Sequence, residues 1–183
     1  AASSRLADAA RAALDRGVPV GAGASRLLRG NHPEHEALEA EAAAHFRAER
    51  ALYFGGGFQA NSTIFSTLPQ RGDLVVHDEL IHASAIDGIR ASKAAHASVP
   101  HNDVDGVDSA IVSWRRAGGT GQPWIAVESL YSMDGDRAPL ADLAALAEAN
   151  DAVLVIDEAH ATGVFGAGGR RPAAARESPR HPT

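Results

Sequence analysis

The chain of 183 residues contains no cysteine, only one lysine and few aromatic residues. Without cysteine it cannot form disulfides, thiolate nucleophiles or thiolate-ligated metal sites. Its apolar runs fall far short of the roughly 20 residues that span a bilayer, and no secretory signal opens it. A formal net charge of −6 argues against nucleic acid or an anionic membrane as a partner. We therefore expect a cytoplasmic protein.

Signatures of several enzyme classes are also missing. No G-x-x-x-x-G-K-[ST] segment is present, which excludes a P-loop NTPase, and no G-x-S-x-G elbow supports a serine hydrolase. The segment GGGFQAN is not a G-x-G-x-x-G fingerprint, and no acid at the ribose-binding distance supports a dinucleotide. The nine histidines are scattered and include no H-E-x-x-H, so we expect no metal site.

What is present is a regular alternation of short apolar runs and helical patterns. Near-continuous apolar strands separated by helices indicate a parallel sheet covered on both faces, the α/β class. Ligands of such sheets bind outside the carboxyl ends of the strands. The pattern predicts helices over 3–16, 33–49, 57–68, 82–93, 104–117 and 139–150, strands over 51–55, 73–78, 97–100, 123–129 and 152–157, and a Gly-rich loop over 20–32.

The character of the chain changes near residue 168. The segment after it is rich in Arg, Pro and Ala and has no apolar periodicity, which predicts a disordered tail over 169–183. We therefore expect one domain over 1–168, in which residues 1–32 form an N-terminal helix and the Gly-rich loop.

An acid and a histidine follow the last predicted strand, in the segment VIDEAHATG. A half-buried carboxylate such as Asp157 needs a cationic partner or several hydrogen-bond donors. A protonated ring nitrogen would serve, and His160 could then bind a substituent of the same ring. The alternative is that Asp157 caps the next turn while His160 merely packs.

The segment GGGFQAN lies between a predicted strand and a predicted helix. Glycine lets a backbone approach a ligand closely, and free N–H groups at a helix start favour an anion. Gly56, Gly57 and Phe58 could therefore donate to a phosphate. An ordinary strand-to-helix turn explains the segment as well.

Other polar residues follow neighbouring strands. His82, before a helix, could stack on a planar ring or simply cap that helix. Glu128 and Ser132 could reach the same edge of the sheet, and Asp134-Gly135 is typical of a turn. The segment HND over 101–103 suits a helix N-cap as well as a substrate contact.

Six segments, in order from about Ala9 to Gly169, resemble the α-oxoamine synthase family of fold-type I pyridoxal-phosphate enzymes, most of all those that make 8-amino-7-oxononanoate. They are GAGASRLLRGNHPEHEALE, GGGFQAN, DELIHAS, HND, ESLYSMDGD and VIDEAHATGVFG. Their common order makes the resemblance specific. It implies a partial large domain of the pyridoxal-phosphate-dependent transferase fold.

The resemblance also implies a pyridoxal 5′-phosphate site. Asp157 would pair with the pyridinium nitrogen, His160 would bind the phenolic oxygen, and His82 would stack on the ring; these three are the implied catalytic residues. The other implied contacts are Gly57 and Phe58 with the phosphate, Ser132 near the phenolic oxygen, Glu128 lining the site, and Arg26, Asn31 and His32 in a loop near the substrate and the subunit interface.

The implied reaction condenses L-alanine with pimeloyl-CoA, releasing CO₂ and CoA, as a step of biotin biosynthesis in a homodimer. Alternatives within the family are glycine with acetyl-CoA or succinyl-CoA (2-amino-3-ketobutyrate ligase or 5-aminolevulinate synthase) and serine with a long acyl-CoA. A further alternative is a non-catalytic fragment that acts only through dimerisation.

The chain departs from the family at the cofactor lysine. The family carries this lysine in a T-x-S-K-[AG]-x-G segment after the DEAH strand, and Lys93 has a different context. No Schiff-base lysine is therefore found, and we expect the small C-terminal domain of the family to be absent as well. We expect a truncated, poorly stable chain that is inactive as a synthase.

Overall fold

The computed structural model describes residues 3–165 and divides the chain into two compact units, 1–53 and 54–183. The tail predicted over 169–183 lies outside the described residues. No helix in the described range is long and apolar enough to cross a membrane.

The first unit contains two helices, α1 (Ser4–Asp15) and α2 (Pro33–Phe46). The predicted Gly-rich loop between them includes a π-helical turn, Arg26–Gly30. Gly30 closes this turn by donating its N–H to the Ser25 carbonyl at 2.9 Å. A Cβ on Gly30 would lie 1.7 Å from the Ala24 carbonyl oxygen, so the turn requires glycine. Gly30 is the only buried residue within 3–53.

The second unit is a parallel sheet with helices on both faces, which confirms the predicted α/β class. The strands lie in the order β2-β1-β3-β4, and every neighbouring pair is parallel. Its elements are α3 (Gly57–Thr67), β1 (Leu74–Asp78), α4 (Ala83–Ala91), β2 (Ala95–Val99), α5 (Val104–Arg116), β3 (Pro123–Glu128), α6 (Leu140–Ala149) and β4 (Val153–Asp157).

The strand predicted over 51–55 is wrong, because these residues adopt no regular structure. Within this segment the Tyr53 N–H donates to the Glu39 side chain of α2, at 2.8 Å. A strand needs a neighbouring strand for its backbone groups, and this one bonds a carboxylate instead.

Side chains alternate between the two faces of the sheet. Leu74, Val76 and Asp78 of β1 point to the face that carries α5 and α6, whereas Val75 and His77 point to the face that carries α3 and α4. Register then assigns the last residues of β3 and β4 to the α3/α4 face. Asp78 is therefore delivered to one side of the sheet, and Glu128 and Asp157 are delivered to the other.

Helices α3 and α4 pack closely because of Gly88. A Cβ on Gly88 would lie 2.9 Å from the Ser62 carbonyl oxygen and 3.0 Å from the Phe65 Cβ. Phe65 is 2% exposed and packs with Val75 and Ile89. This close approach brings polar residues of both helices to the end of β4.

Candidate functional site

Two acids end neighbouring strands at the α3/α4 face. Glu128 of β3 and Asp157 of β4 are paired in register, and Glu128 is only 2% exposed. Burial, followed by the negative charge of Asp157, raises the pKa of Glu128 above its ordinary value. His82 and His160 act in the opposite direction on that pKa, so both lie within electrostatic reach of Glu128.

Neutral donors hold the Asp157 carboxylate in place. The Asn61 Nδ2 donates to Oδ2 at 2.6 Å, and the Ala159 N–H donates to Oδ1 at 2.9 Å. Within residues 3–165, Asp157 forms no salt bridge. The side chain is thus oriented but not neutralised, and it can still accept a hydrogen bond from a cation. The capping alternative also holds in part, because the Ala159 bond closes a turn.

A hydrogen-bond chain joins Asp157 to His82. Asn61 donates a second bond to the Ser84 Oγ at 3.1 Å, and that Oγ lies 2.7 Å from the His82 Nδ1. The Ser84 N–H also reaches the same Nδ1, at 3.1 Å, so His82 caps α4. With Nδ1 accepting, the neutral His82 ring carries its proton on Nε2.

Sequence reasoning did not assign Asn61 or Ser84 to the site. Both lie inside the segments singled out, GGGFQAN and DELIHAS. Each lies within one helical turn of a predicted ligand residue, Asn61 after Phe58 and Ser84 after His82, and this spacing could have pointed to them. Only the packing of α3 on α4 shows that they meet.

The first turn of α3 offers free backbone donors. Its first intrahelical bond runs from the Ala60 N–H to the Gly56 carbonyl, at 3.1 Å. The amides of the preceding residues, Gly57 and Phe58 among them, therefore have no intrahelical acceptor. The Gly57 Cα faces open space and Phe58 is 55% exposed, so an anion could approach this turn.

The remaining predicted ring contacts are solvent-exposed. Ser132 and His160 are both exposed. The Ser132 N–H donates to the Glu128 Oε2 at 3.2 Å. The other oxygen, Glu128 Oε1, is buried without a hydrogen-bond partner in the described part of the chain. A buried polar atom of this kind calls for a partner, and a ligand in the site could provide it.

The three predicted substrate residues lie in the first unit and bond there. Arg26 donates to both carboxylate oxygens of Glu39, at 2.5 and 3.0 Å, and to the Asn31 Oδ1 at 2.9 Å. The Arg26 hydrogen bond lowers the pKa of Glu39 to about 2. His32 caps α2 by accepting from the Glu34 N–H at 3.3 Å. Their predicted contact with a substrate stays a prediction.

Lys93 does not lie at this edge of the sheet. It is exposed and lies two residues before the start of β2, at the amino ends of the parallel strands. The five residues of β2 extend over about 16 Å, and the acids stand at the opposite ends. Over 3–165, no group of three or more histidines and acids has metal-site geometry.

The HND segment separates into two roles. Asp103 caps α5 by accepting from the Gly106 N–H at 2.9 Å, which confirms the N-cap interpretation for that residue. His101 and Asn102 instead bind acids on the α5/α6 face. Asp134-Gly135 forms the expected turn, with Gly135 at φ +72° and its N–H bonded to the Tyr131 carbonyl.

Comparisons with known proteins agree with this arrangement. The family model described as aminotransferase class I and II matches residues 1–181. An 8-amino-7-oxononanoate synthase of Acidithiobacillus ferrooxidans is 44% identical over 173 residues, which are 94% of this chain and 43% of that protein. An enzyme of the same name from Azoarcus sp. is 46% identical over 151 residues, 82% of this chain and 37% of its own length.

Solved structures are similar as well. Serine palmitoyltransferase from S. paucimobilis, solved with a bound PLP–myriocin aldimine, superimposes with a TM-score of 0.82 at 31% identity, over 92% of this chain and 43% of its own. 8-Amino-7-oxononanoate synthase from Francisella tularensis gives a TM-score of 0.72 at 29% identity, over 93% and 45%. The chain thus spans less than half the length of these relatives. Its fold is that of part of a fold-type I transferase, and the chain belongs to the aminotransferase class I and II family.

Proposed function

We propose that this chain is the cofactor-binding part of a pyridoxal-phosphate-dependent acyltransferase of the 8-amino-7-oxononanoate synthase type. The observation that carries the proposal is the Asp157 carboxylate, oriented by neutral donors and bonded to Asn61, which lies one helical turn along α3 from the Gly57 and Phe58 amides. Relatives of that name at 44–46% identity support the assignment.

The residues present fit pyridoxal phosphate. Asp157 offers an uncompensated carboxylate to a protonated ring nitrogen, and the first turn of α3 offers N–H groups to a phosphate. The buried Glu128 Oε1 is an acceptor that the described protein groups leave unpaired. When bound, pyridoxal phosphate supplies an electron sink for negative charge on the α-carbon of an amino acid.

Asp157 is expected to hold a proton at the ring nitrogen. A carboxylate close to that nitrogen favours its charged form, and the Asn61 and Ala159 bonds keep the carboxylate in one orientation. Because those donors are neutral, they do not cancel its charge. The proton is thus retained at the nitrogen where the electron sink needs it.

The other residues bind and orient. Gly57 and Phe58 are proposed to bind the phosphate through their amides, while His82 presents a ring that Ser84 holds by its Nδ1. His160 and Ser132 are proposed to face the phenolic oxygen. Arg26, Asn31 and His32 are proposed to contact the substrate in a homodimer.

The substrates proposed are L-alanine and pimeloyl-CoA, by the names of the relatives. The isolated chain is nevertheless proposed to be inactive, because its single lysine lies at the wrong end of the strands. Aminoketone formation by the purified chain would contradict this statement.

Pyridoxamine 5′-phosphate tests the site without requiring a lysine. We expect the 183-residue chain to bind this compound, as followed by its fluorescence. Asp157→Asn should weaken binding roughly ten- to hundredfold, because it removes a charge-assisted hydrogen bond. Asp87→Asn, at an exposed position of α4, is the matched control and should bind like the wild type. Equal affinity for Asp157→Asn and the wild type would contradict the proposed role of Asp157.

A second candidate is a serine palmitoyltransferase type of acyltransferase. The observation in its favour is the higher TM-score, 0.82 against 0.72. Sequence identity points to the first candidate, at 44% against 31%. Titration of the chain loaded with pyridoxamine phosphate with L-alanine and with L-serine separates the two candidates. The first candidate predicts that L-alanine changes the fluorescence of the bound compound at the lower concentration, and the second predicts this of L-serine.

A further inference from the structure

A second polar cluster lies at the same edge of the sheet, on the α5/α6 face. His101 follows β2 and contacts two carboxylates: its Nδ1 is 3.0 and 3.1 Å from the two oxygens of Asp78, and its Nε2 is 2.7 Å from the Asp136 Oδ2. A neutral imidazole has only one N–H. Because a carboxylate faces each nitrogen, the ring satisfies both only as an imidazolium.

Asn102 completes the cluster. Its N–H donates to the Asp78 Oδ2 and its Nδ2 donates to the Asp136 Oδ2, both at 2.8 Å. The residue adopts a left-handed backbone with φ +57°, which directs both donors to the acids. Asp78 is 3% exposed and also accepts from the Leu80 N–H at 2.8 Å.

His101 contacts both sides of a loop, residues 129–138, that forms most of the connection between β3 and α6. Asp136 stands on one side, and the Tyr131 ring on the other meets the His101 ring edge-on, with centroids 4.4 Å apart. The Tyr131 N–H also donates to the Asp136 carbonyl at 3.0 Å. The loop is thus closed on itself and fastened to His101.

The same loop extends into the candidate cofactor site. Ser132, which follows Tyr131, gives Glu128 the bond from its N–H at 3.2 Å. We propose that His101 is a positioning residue, an imidazolium that fixes the 129–138 loop so that the Ser132 amide stays bonded to Glu128. The importance of this positioning for a cofactor rests on the proposed function.

The geometry has a pH consequence. Burial lowers the pKa of His101, but the hydrogen bonds to Asp78 and Asp136 outweigh burial and raise it above the ordinary value. Glu79 accepts from the backbone N–H of His101 at 3.0 Å, and the Tyr131 ring meets the imidazole edge-on. The only cationic side chain of the loop, Arg137, lies over the Phe165 ring. The loop is therefore held below the raised pKa of His101 and released as the pH rises through it.

Amide exchange in the 183-residue chain tests the proposal without any cofactor. We expect His101→Gln and Asp136→Asn to lower the protection factor of the Ser132 amide about tenfold or more. Asp136→Asn is included in case His101→Gln does not fold, because the Asp136 side chain is 40% exposed and its substitution disturbs the fold less. In the wild type, the protection factor of the Ser132 amide should fall as the pH rises through the pKa of His101. In His101→Gln this pH-dependent step should be absent. His96→Gln, exposed on β2, is the matched control and should retain both the protection and the step.

Unchanged Ser132 protection in both folded variants would overturn the proposal. Binding of pyridoxamine phosphate, measured in parallel, is expected to weaken severalfold in both. Lost protection with unchanged affinity would overturn the link to the cofactor site. No binding by the wild type would contradict the proposed function, whereas the exchange data would still decide whether His101 holds the loop.

Discussion

Two strand-end acids, Asp78 and Glu128, lie on opposite faces of one sheet edge and differ in their hydrogen bonding. On the α5/α6 face, Asp78 is bonded to a histidine and to two backbone amides. On the α3/α4 face, Glu128 is equally buried, but one of its oxygens has no hydrogen-bond partner among residues 3–165, and its neighbours His82 and His160 are exposed. Both oxygens of Asp78 are thus paired, although the Asp136 Oδ1, the Asn102 Oδ1 and the Tyr131 hydroxyl near it are buried without hydrogen-bond partners in the described part of the chain. The difference is therefore between the two strand-end acids: Asp78 is fully bonded, whereas Glu128 keeps an acceptor for a ligand.

The largest effect is expected at Asp78, whose two oxygens are both bonded. In Asp78→Asn, one carboxylate oxygen becomes an amide NH₂ and the other becomes an amide oxygen, which is a weaker acceptor. The groups around it are all donors, so a buried donor loses its partner. The free energy of unfolding should fall by about 3 kcal/mol at pH 7. Urea unfolding measures it, with Asp87→Asn as the control. A loss as small as that of the control would mean that the cluster contributes nothing to stability.

A smaller effect is expected where α3 meets α4. Gly88→Ala places a methyl group 2.9 Å from the Ser62 carbonyl oxygen, so the helices must separate. We expect the free energy of unfolding to fall by about 1 to 3 kcal/mol. Gly57→Ala is the matched control, because its methyl group meets open space. Thermal unfolding of the pair provides the measurement, and equal stability would refute the close packing.

The smallest effect should have the opposite sign. Burial and the negative charge of Asp157 raise the pKa of Glu128, so ionisation of this side chain is less favourable in the folded chain than in the unfolded chain. Glu128→Gln should therefore raise the free energy of unfolding at pH 7, by no more than about 1 kcal/mol. The gain should begin to shrink as the pH falls through the raised pKa and should vanish below the ordinary pKa of glutamate, where the folded and the unfolded chain both bind the proton.

Glu41→Gln, at an exposed position of α2, is the control for Glu128→Gln and should show no such pH dependence. Denaturation followed from pH 4 to pH 8 makes the comparison. A variant less stable than the wild type at pH 7 would show that Glu128 is satisfied like Asp78, and the contrast between the faces would then disappear.

The sequence predicted the sheet well because its strands are apolar runs and its helices are periodic. It failed at 51–55, where the composition suits a strand but the Tyr53 amide bonds Glu39. Strand-end residues such as Asp157 and His82 were identifiable, since parallel strands deliver their carboxyl ends to one edge. The Asn61–Asp157 and His101–Asp136 pairs join residues 96 and 35 positions apart, and no local pattern announces them.

The order β2-β1-β3-β4 also has a consequence for synthesis. The central strand β1 leaves the ribosome first, and β4, which carries Asp157, is the last strand of the described chain to emerge. At about 5 to 20 residues per second, the stretch from Asp78 to Asp157 takes on the order of 4 to 16 seconds. During that interval the nascent chain already contains Asp78, one of the two acids that bond His101, but not yet Asp157, the acid proposed to bind the cofactor.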